Sequence, residues 1–102
     1  MKIKFRGRAE GGENIFSSSV EVDGEKVRLK DETGKWVEVE PESIVQFVGY
    51  DSTGAEIYDG DKVHGISGTM VGHTFTARVA NVAQSTNGMY WGFLPEDVRK
   101  ES

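Results

Sequence analysis

The segment Ser43–Val63 gives the clearest indication of the fold, because short apolar runs in it alternate with turn residues. Its first part, Ile44–Val48, is mostly apolar and leaves little room for a polar face, which predicts a buried strand. A turn is expected next, since Asp51 can accept a hydrogen bond from the backbone two residues on and Gly54 can adopt a positive φ. Glu56–Tyr58 then predicts a second short strand. The segment as a whole predicts a β-hairpin followed by a sharp change in chain direction.

Apolar and charged residues alternate through the first forty residues, which is typical of half-buried strands in an antiparallel meander. Val20 and Val22 lie in the strand before a hairpin turn at Asp23-Gly24, and a further strand starts at Trp36. In the first strand, one face is wholly basic. Its cations are Lys2, Lys4, Arg6 and Arg8.

The last forty residues predict further strands. The pattern indicates a strand at 62–66, a long strand from about Thr74 to Val82 and a closing strand at Met89–Phe93. Leu94–Val98 is typical of a short helical turn with acids near its N-terminal end. Thirteen glycines against two prolines also favour a turn-rich, all-β protein.

Two phrases of the chain resemble the signature of the YopX family of phage and prophage proteins. One is Ile3–Gly7, and the other runs from Val39 to Val63. The motif residues of the second phrase are Gln46, Phe47, Gly49, Gly54, Ile57, Tyr58, Gly60 and Asp61. The resemblance implies a small SH3-like barrel with no established activity, and the alternation in the first forty residues predicts a meander of short antiparallel strands before it. We therefore expect a single domain, 1–102, with the meander over 1–43 and the barrel-like part over 44–102.

Composition excludes several classes of protein. The chain has no cysteine, so disulfides and cysteine-ligated zinc are excluded and a reducing compartment is favoured. No apolar stretch is long enough to cross a membrane, and the first residues lack the apolar core of a signal peptide. We expect an intracellular protein in the cytoplasm of a bacterial host, with no membrane partner.

Clustered acids in the family motif raise the question of a metal site. Asp51, Glu56, Asp59 and Asp61 are the residue types that Mg²⁺ or Ca²⁺ requires, but their order does not match a calcium-binding EF-hand loop. Turn chemistry is the favoured interpretation: Asp51 and Asp59 would satisfy turn amides, and Asp61 would start a strand. We expect no metal and no cofactor.

Catalytic residues are not recognisable in the sequence. His64 and His73 are the only histidines, and neither has a partnered serine or carboxylate at a suitable spacing. Ser17–Ser19 lacks the Gly-x-Ser-x-Gly context of a nucleophile elbow. The chain is therefore not expected to be an enzyme.

The net charge of −5 is distributed unevenly: residues 1–8 carry +4, residues 9–61 carry −10 and residues 62–102 carry +1. The basic first strand is a candidate phosphate-binding surface. Cross-strand pairing with the acidic strand faces at Glu21/Asp23 and Glu38/Glu40 would neutralise it, and we favour that interpretation.

Aromatic residues and cations occur together in the last third, the combination with which single-stranded nucleic acids are bound. The aromatic residues are Phe75, Tyr90, Trp91 and Phe93, and the cations beside them are Lys62 and Arg78. Because adjacent strand residues point to opposite faces, Trp91 is expected in the core with Met89 and Phe93, and Tyr90 on the other face. Core packing is favoured for most of the set.

Three functions follow from these observations. The leading hypothesis is a non-catalytic phage or prophage accessory protein that binds an unidentified phage or host protein, with self-association through exposed strand edges as one route. The alternative is a nucleic-acid-binding module that uses the basic first strand or the aromatic C-terminal strands. The third is a metal-dependent hydrolase centred on Asp59 and Asp61, which fares worst because no nucleophile, base and oxyanion donor occur together.

Overall fold

A computed structural model describes residues 3–85 and 87–101, and it is all-β. Half of the chain is in strands and no helix reaches seven residues, which confirms the all-β part of the predicted fold. The chain divides into two compact units, residues 1–46 and residues 47–102. No helix among the described residues is long and apolar enough to cross a membrane.

The strands are short and antiparallel. The first unit contains β1 (Phe5–Arg8), β2 (Asn14–Ser17), β3 (Val20–Asp23), β4 (Lys26–Lys30) and β5 (Trp36–Val39). β6 (Val45–Tyr50) starts in the first unit and ends in the second. The second unit contains β7 (Glu56–Tyr58), β8 (Lys62–Gly65), β9 (Thr74–Arg78), β10 (Val82–Gln84), β11 (Tyr90–Gly92) and β12 (Val98–Lys100). Single 3-10 turns lie at Pro41–Ser43, Gly68–Met70 and Pro95–Asp97.

In the first unit, β1 pairs with β2 on one side and with the start of β6 on the other. A separate three-stranded sheet has the order β3-β4-β5. Its apolar face is buried at Leu29 and Val39, which are 0% and 3% exposed. Alternation of period two therefore does produce a meander of antiparallel strands here. Val20 and Val22, however, are 40% and 69% exposed, so the prediction that β3 is half-buried was wrong.

In the second unit, the end of β6 pairs with β7, with a bulge between Phe47 and Gly49. The other strands form a five-stranded sheet in the order β11-β10-β9-β8-β12. Its core is a single cluster of buried side chains, namely Ile57, Val63, Met70, Phe75, Ala77, Ala83, Phe93 and Val98. None of the sheets formed by the described residues closes into a barrel.

A four-residue turn occurs twice, with nearly the same geometry. Asp31 begins one copy and Asp51 the other, and each is followed by Thr two residues on and Gly three residues on. In each copy one carboxylate oxygen accepts hydrogen bonds from the threonine amide, the threonine hydroxyl and the amide four residues on. The glycines, Gly34 and Gly54, have φ of 88° and 87°. The predicted turn after β6 is therefore confirmed, and its chemistry recurs before β5.

Other predicted elements differ from the structure. The expected long strand from Thr74 to Val82 is wrong: it is the hairpin β9–β10, in which Arg78 pairs with Val82. Ala80 and Asn81 have φ of 73° and 62°, a region that asparagine tolerates and alanine rarely adopts, so composition gave no turn signal.

The strand expected to be buried, at the start of the family motif, is only half-buried from Val45 to Gly49. The closing strand is shorter than predicted and covers only β11. A helical turn near the C-terminus does form at Pro95–Asp97, and it is followed directly by β12, which the sequence patterns did not indicate.

Candidate binding surfaces

The five-stranded sheet has one buried face and one exposed face. Directly paired residues share a face, so the strand register assigns each side chain to one of them. The exposed face, called the outer face below, carries Lys62, His64, Thr74, Thr76, Arg78, Val82, Gln84, Tyr90 and Arg99. The three residues singled out from the sequence in this region, Lys62, Arg78 and Tyr90, therefore lie on one exposed face.

Arg78 is oriented by two neighbours on the outer face. Its Cζ lies 5.8 Å from the centroid of the Tyr90 ring, and its Nε donates to Oε1 of Gln84 at 3.1 Å. Nη2 donates to the same oxygen. Gln84 in turn pairs directly with Tyr90 across the ladder. The guanidinium group is therefore held beside an aromatic ring that is 60% exposed.

Lys62 and Arg99 add two cations to this face, and neither makes an ion pair within the described part of the chain. Arg99 pairs with His64, which places it diagonally from Lys62 on β12. Lys62 pairs with Thr76, which places Arg78 diagonally from Lys62 on β9. Diagonal neighbours in a sheet are about 7–8 Å apart. The three cations therefore form a line across β12, β8 and β9.

Glu101 brings one acid next to this line of cations. Its amide donates to the carbonyl oxygen of Lys62 at 3.0 Å. Its Oε1 accepts a hydrogen bond from the hydroxyl of Thr74 at 3.2 Å and lies 3.8 Å from Nδ1 of His64. The carboxylate thus lies beside the histidine and offsets part of the positive charge on the outer face.

The aromatic residues divide differently from the expectation. Phe75 and Phe93 are core residues, 6% and 9% exposed. Trp91 lies on the inner face but at the edge strand β11, where it is 37% exposed, so its predicted place in the core was wrong. Met89, expected beside it in the core, is 53% exposed. Burial at this sheet decreases toward the edge because no further strand covers β11 among the described residues.

The basic first strand is engaged with its own unit. Nη2 of Arg8 lies 2.6 Å from Oε2 of Glu40, which is one of the expected ion pairs. Nζ of Lys4 lies 5.7 Å from the ring centroid of Phe16, and Arg6 is half-buried in the middle of β1. Lys2 lies outside the described residues.

Among the described residues, the acids on β3 form ion pairs with Arg28 on β4. Arg28 lies between Glu21 and Glu38 in the register of β3, β4 and β5, and its Nη1 lies 2.8 Å from Oε1 of Glu21. The same nitrogen lies 4.0 Å from Oδ2 of Asp23. The acids on β3 are therefore neutralised by Arg28 on β4.

β3 lies at the edge of its sheet and carries two exposed apolar side chains. All four of its residues are exposed, and within the described chain no strand pairs with its outer side. Val20 and Val22 lie on the same face of the sheet as their partners on β4. Of these partners, Leu29 is buried and Val27 is half-buried. An exposed edge that carries two apolar side chains is a template for pairing with another strand.

The motif acids bind backbone groups. One oxygen of Asp51 is saturated by its own turn, and the other accepts the amide of Lys100 at 2.7 Å. Oδ2 of Asp61 accepts the amide of Tyr58 at 2.9 Å and lies 3.5 Å from Nζ of Lys100. Oδ1 of Asp59 accepts the amide of Val79, in the β9–β10 loop, at 2.8 Å. Asp59 therefore accepts a turn amide as predicted, but from a distant loop, and Asp61 accepts an amide of its own turn directly before β8.

No group of three or more histidine and acidic side chains among the described residues could hold a metal ion.

Burial alone would raise the pKa of Asp51, but hydrogen bonds from the Lys100 amide, the Thr53 hydroxyl and the Ala55 and Thr53 amides outweigh it. The pKa of Asp51 therefore lies below its usual 3.8. His73, the second histidine, lies with its ring centroid 6.1 Å from that of Phe75.

The remaining motif residues shape the second unit and the end of the first. Ile57 and Tyr58 are 0% and 1% exposed, and Phe47 makes an edge contact with the Tyr58 ring at 5.7 Å. Gly60 donates its amide to Ala77 at 2.7 Å. A Cβ at Gly49 would lie 2.6 Å from Cγ of Pro95. The half-buried Gln46 pairs with Phe5 in the first unit. The motif therefore specifies turns and packing in the described chain.

Sequence reasoning missed two features of these surfaces. Arg99 was not assigned to any surface, because the sequence patterns did not indicate β12. The exposure of β3 left no sequence signal, because an edge strand and an internal strand can share the same alternation.

No protein-family model, curated protein or solved structure matches the chain.

Proposed function

We propose that the protein is a non-catalytic accessory protein of a phage or prophage, similar to the YopX family, that binds another protein in the cytoplasm of a bacterial host. The phrases Ile3–Gly7 and Val39–Val63 support the family and the origin. We extend the proposal to an SH3-like, barrel-like architecture for the second unit in which the sheets stay open, and its short antiparallel strands and sharp turns support it. The observation that carries the binding function is the exposed edge strand β3.

Pairing at the edge of β3 would recruit an extended segment as a fourth strand. Backbone hydrogen bonds supply affinity in this binding mode, and alternate side chains supply specificity. Val20 and Val22 would be covered by apolar side chains of the partner on one face. On the other face, the partner residues directly opposite Glu21 and Asp23 would meet two acids, which favours lysine or arginine there.

A second copy of this chain fits the edge of β3 poorly. An antiparallel two-fold pairing that keeps the valine faces together places Glu21 opposite either Glu21 or Asp23. Like charges directly opposite each other destabilise a strand pair. We therefore propose a partner segment in which apolar residues alternate with basic ones.

Val22→Lys is expected to weaken binding to such a segment about tenfold, because it removes an apolar contact and places a charge against the partner's apolar side chains. Val22 is 69% exposed, so the fold should be retained. Binding is measured with a fluorescent peptide that alternates valine and lysine. Protection of the β3 amides from hydrogen exchange then locates the contact.

Val71→Lys is the matched control, since Val71 is also exposed, at 58%, and lies in the second unit. It should leave peptide affinity unchanged. A wild-type protein that binds neither the valine–lysine peptide nor its valine–glutamate counterpart contradicts the edge proposal. Equal loss of affinity in both variants would also contradict it.

A further inference from the structure

We propose that the outer face of the five-stranded sheet is a binding site for single-stranded nucleic acid, separate from the edge of β3. The line of Arg99, Lys62 and Arg78 would contact consecutive phosphates, and Tyr90 would stack against a base. The site lies entirely within the second unit.

Charge complementarity identifies a polyanion as the ligand. The spacing of about 7–8 Å between diagonally neighbouring residues in the sheet is close to the distance between successive phosphates of an extended strand. Lys62 and Arg99 make no ion pair within residues 3–85 and 87–101, so each ammonium or guanidinium is available to a phosphate. Arg78 is pre-oriented by Gln84, which reduces the entropy lost when it binds an oxyanion.

Tyr90 distinguishes a single strand from a simple polyanion or a duplex. Its ring is 60% exposed, and the Arg78 guanidinium lies 5.8 Å from the ring centroid. Bases stack on such rings in proteins that bind single strands, and a neighbouring arginine adds a cation–π contribution. The bases of a duplex are already stacked on one another and are not available to a ring on a sheet face. The face therefore fits a strand whose bases are unpaired.

The affinity is expected to be modest and sensitive to salt. Three phosphate contacts predict that the logarithm of the binding constant falls with the logarithm of salt concentration with a slope of about −2. Glu101 lies beside the cation line and opposes binding, so Glu101→Gln should raise the affinity. These two expectations follow from the positions of the charges alone.

The test mixes the full chain with fluorescently labelled oligothymidylate, oligouridylate or a DNA duplex. Binding is measured by fluorescence anisotropy at low salt and then at increasing salt concentrations. Tyr90→Ala is expected to reduce affinity for both single strands about tenfold. Arg99→Ala is expected to reduce affinity and to bring the salt slope about 0.7 closer to zero. Lys35→Ala and Tyr50→Ala change an exposed cation and an exposed tyrosine elsewhere, and both should leave affinity unchanged.

Three outcomes would overturn the proposal. One is the absence of binding to either single strand at low salt. Another is equal affinity for the duplex together with no effect of Tyr90→Ala, which would indicate a general polyanion surface. A third is an equal effect of Lys35→Ala and Arg99→Ala. Val22 lies on a different strand from this site. If Val22→Lys fails to weaken peptide binding, the edge proposal fails, but the nucleic-acid proposal is unaffected.

Discussion

Gly65→Ala is expected to destabilise the second unit by about 3 kcal/mol or more, the largest effect among the substitutions considered. A Cβ at this position would lie 2.0 Å from the carbonyl oxygen of Met70 and 2.6 Å from its carbonyl carbon. No rotamer can relieve this clash, since the obstacle is backbone. Gly65 also donates its amide to His73 and accepts the amide of Gly72, so a shift of the chain would disturb both hydrogen bonds.

Chemical denaturation of the purified variant measures this loss as a lower midpoint with an unchanged slope. Gly92→Ala is the matched control in the same sheet, because a Cβ there meets no atom within 4 Å. Its effect should stay within about 0.5 kcal/mol. If the two variants unfold at the same denaturant concentration, the close packing of Met70 on β8 is wrong.

Local chemistry explains which elements the sequence predicted. The turn that begins at Asp51 was predictable because its hydrogen bonds connect residues at most four apart. The β9–β10 hairpin was missed because Ala80 adopts a left-handed conformation that its side chain does not favour, and a distant carboxylate holds the loop by binding Val79. Contacts over twenty residues leave no trace in a local pattern.

The candidate surfaces were likewise predictable only where they depend on the local sequence pattern. Alternation correctly separated Tyr90 from Trp91, because that depends only on the period of a strand. The line through Lys62, Arg78 and Arg99 depends on the order and register of β12, β8 and β9, in which the first and last strands are far apart in sequence. Exposure of Val22 likewise depends on which strand lies at the sheet edge, and alternation alone does not determine this.

Asp51→Ala is expected to cost about 3 kcal/mol, because three amides and one hydroxyl lose their acceptor at a site that is 5% exposed. The bond to the Lys100 amide joins the β6–β7 turn to β12, across 49 residues. Asp31→Ala removes the same local hydrogen bonds from the other copy of the turn, but no distant amide. It should therefore destabilise the protein less, and the difference reports the long-range bond together with the deeper burial of Asp51.

The cost of Asp51→Ala should also depend on pH, and the sign follows from the lowered pKa of Asp51. A carboxylate whose pKa is lower in the folded chain stabilises it fully above its unfolded pKa, and this contribution is lost as pH falls through the folded pKa. Unfolding free energies of wild type and variant should thus differ most above about pH 5, and the difference should shrink as pH falls below the usual pKa of 3.8. A difference that stays constant over this range would mean that protonated Asp51 holds the turn and β12 as well as the carboxylate does. The hydrogen bonds from Lys100 and Thr53 would then stabilise the protonated and the charged carboxyl group equally. The pKa of Asp51 would not be lowered in the folded chain.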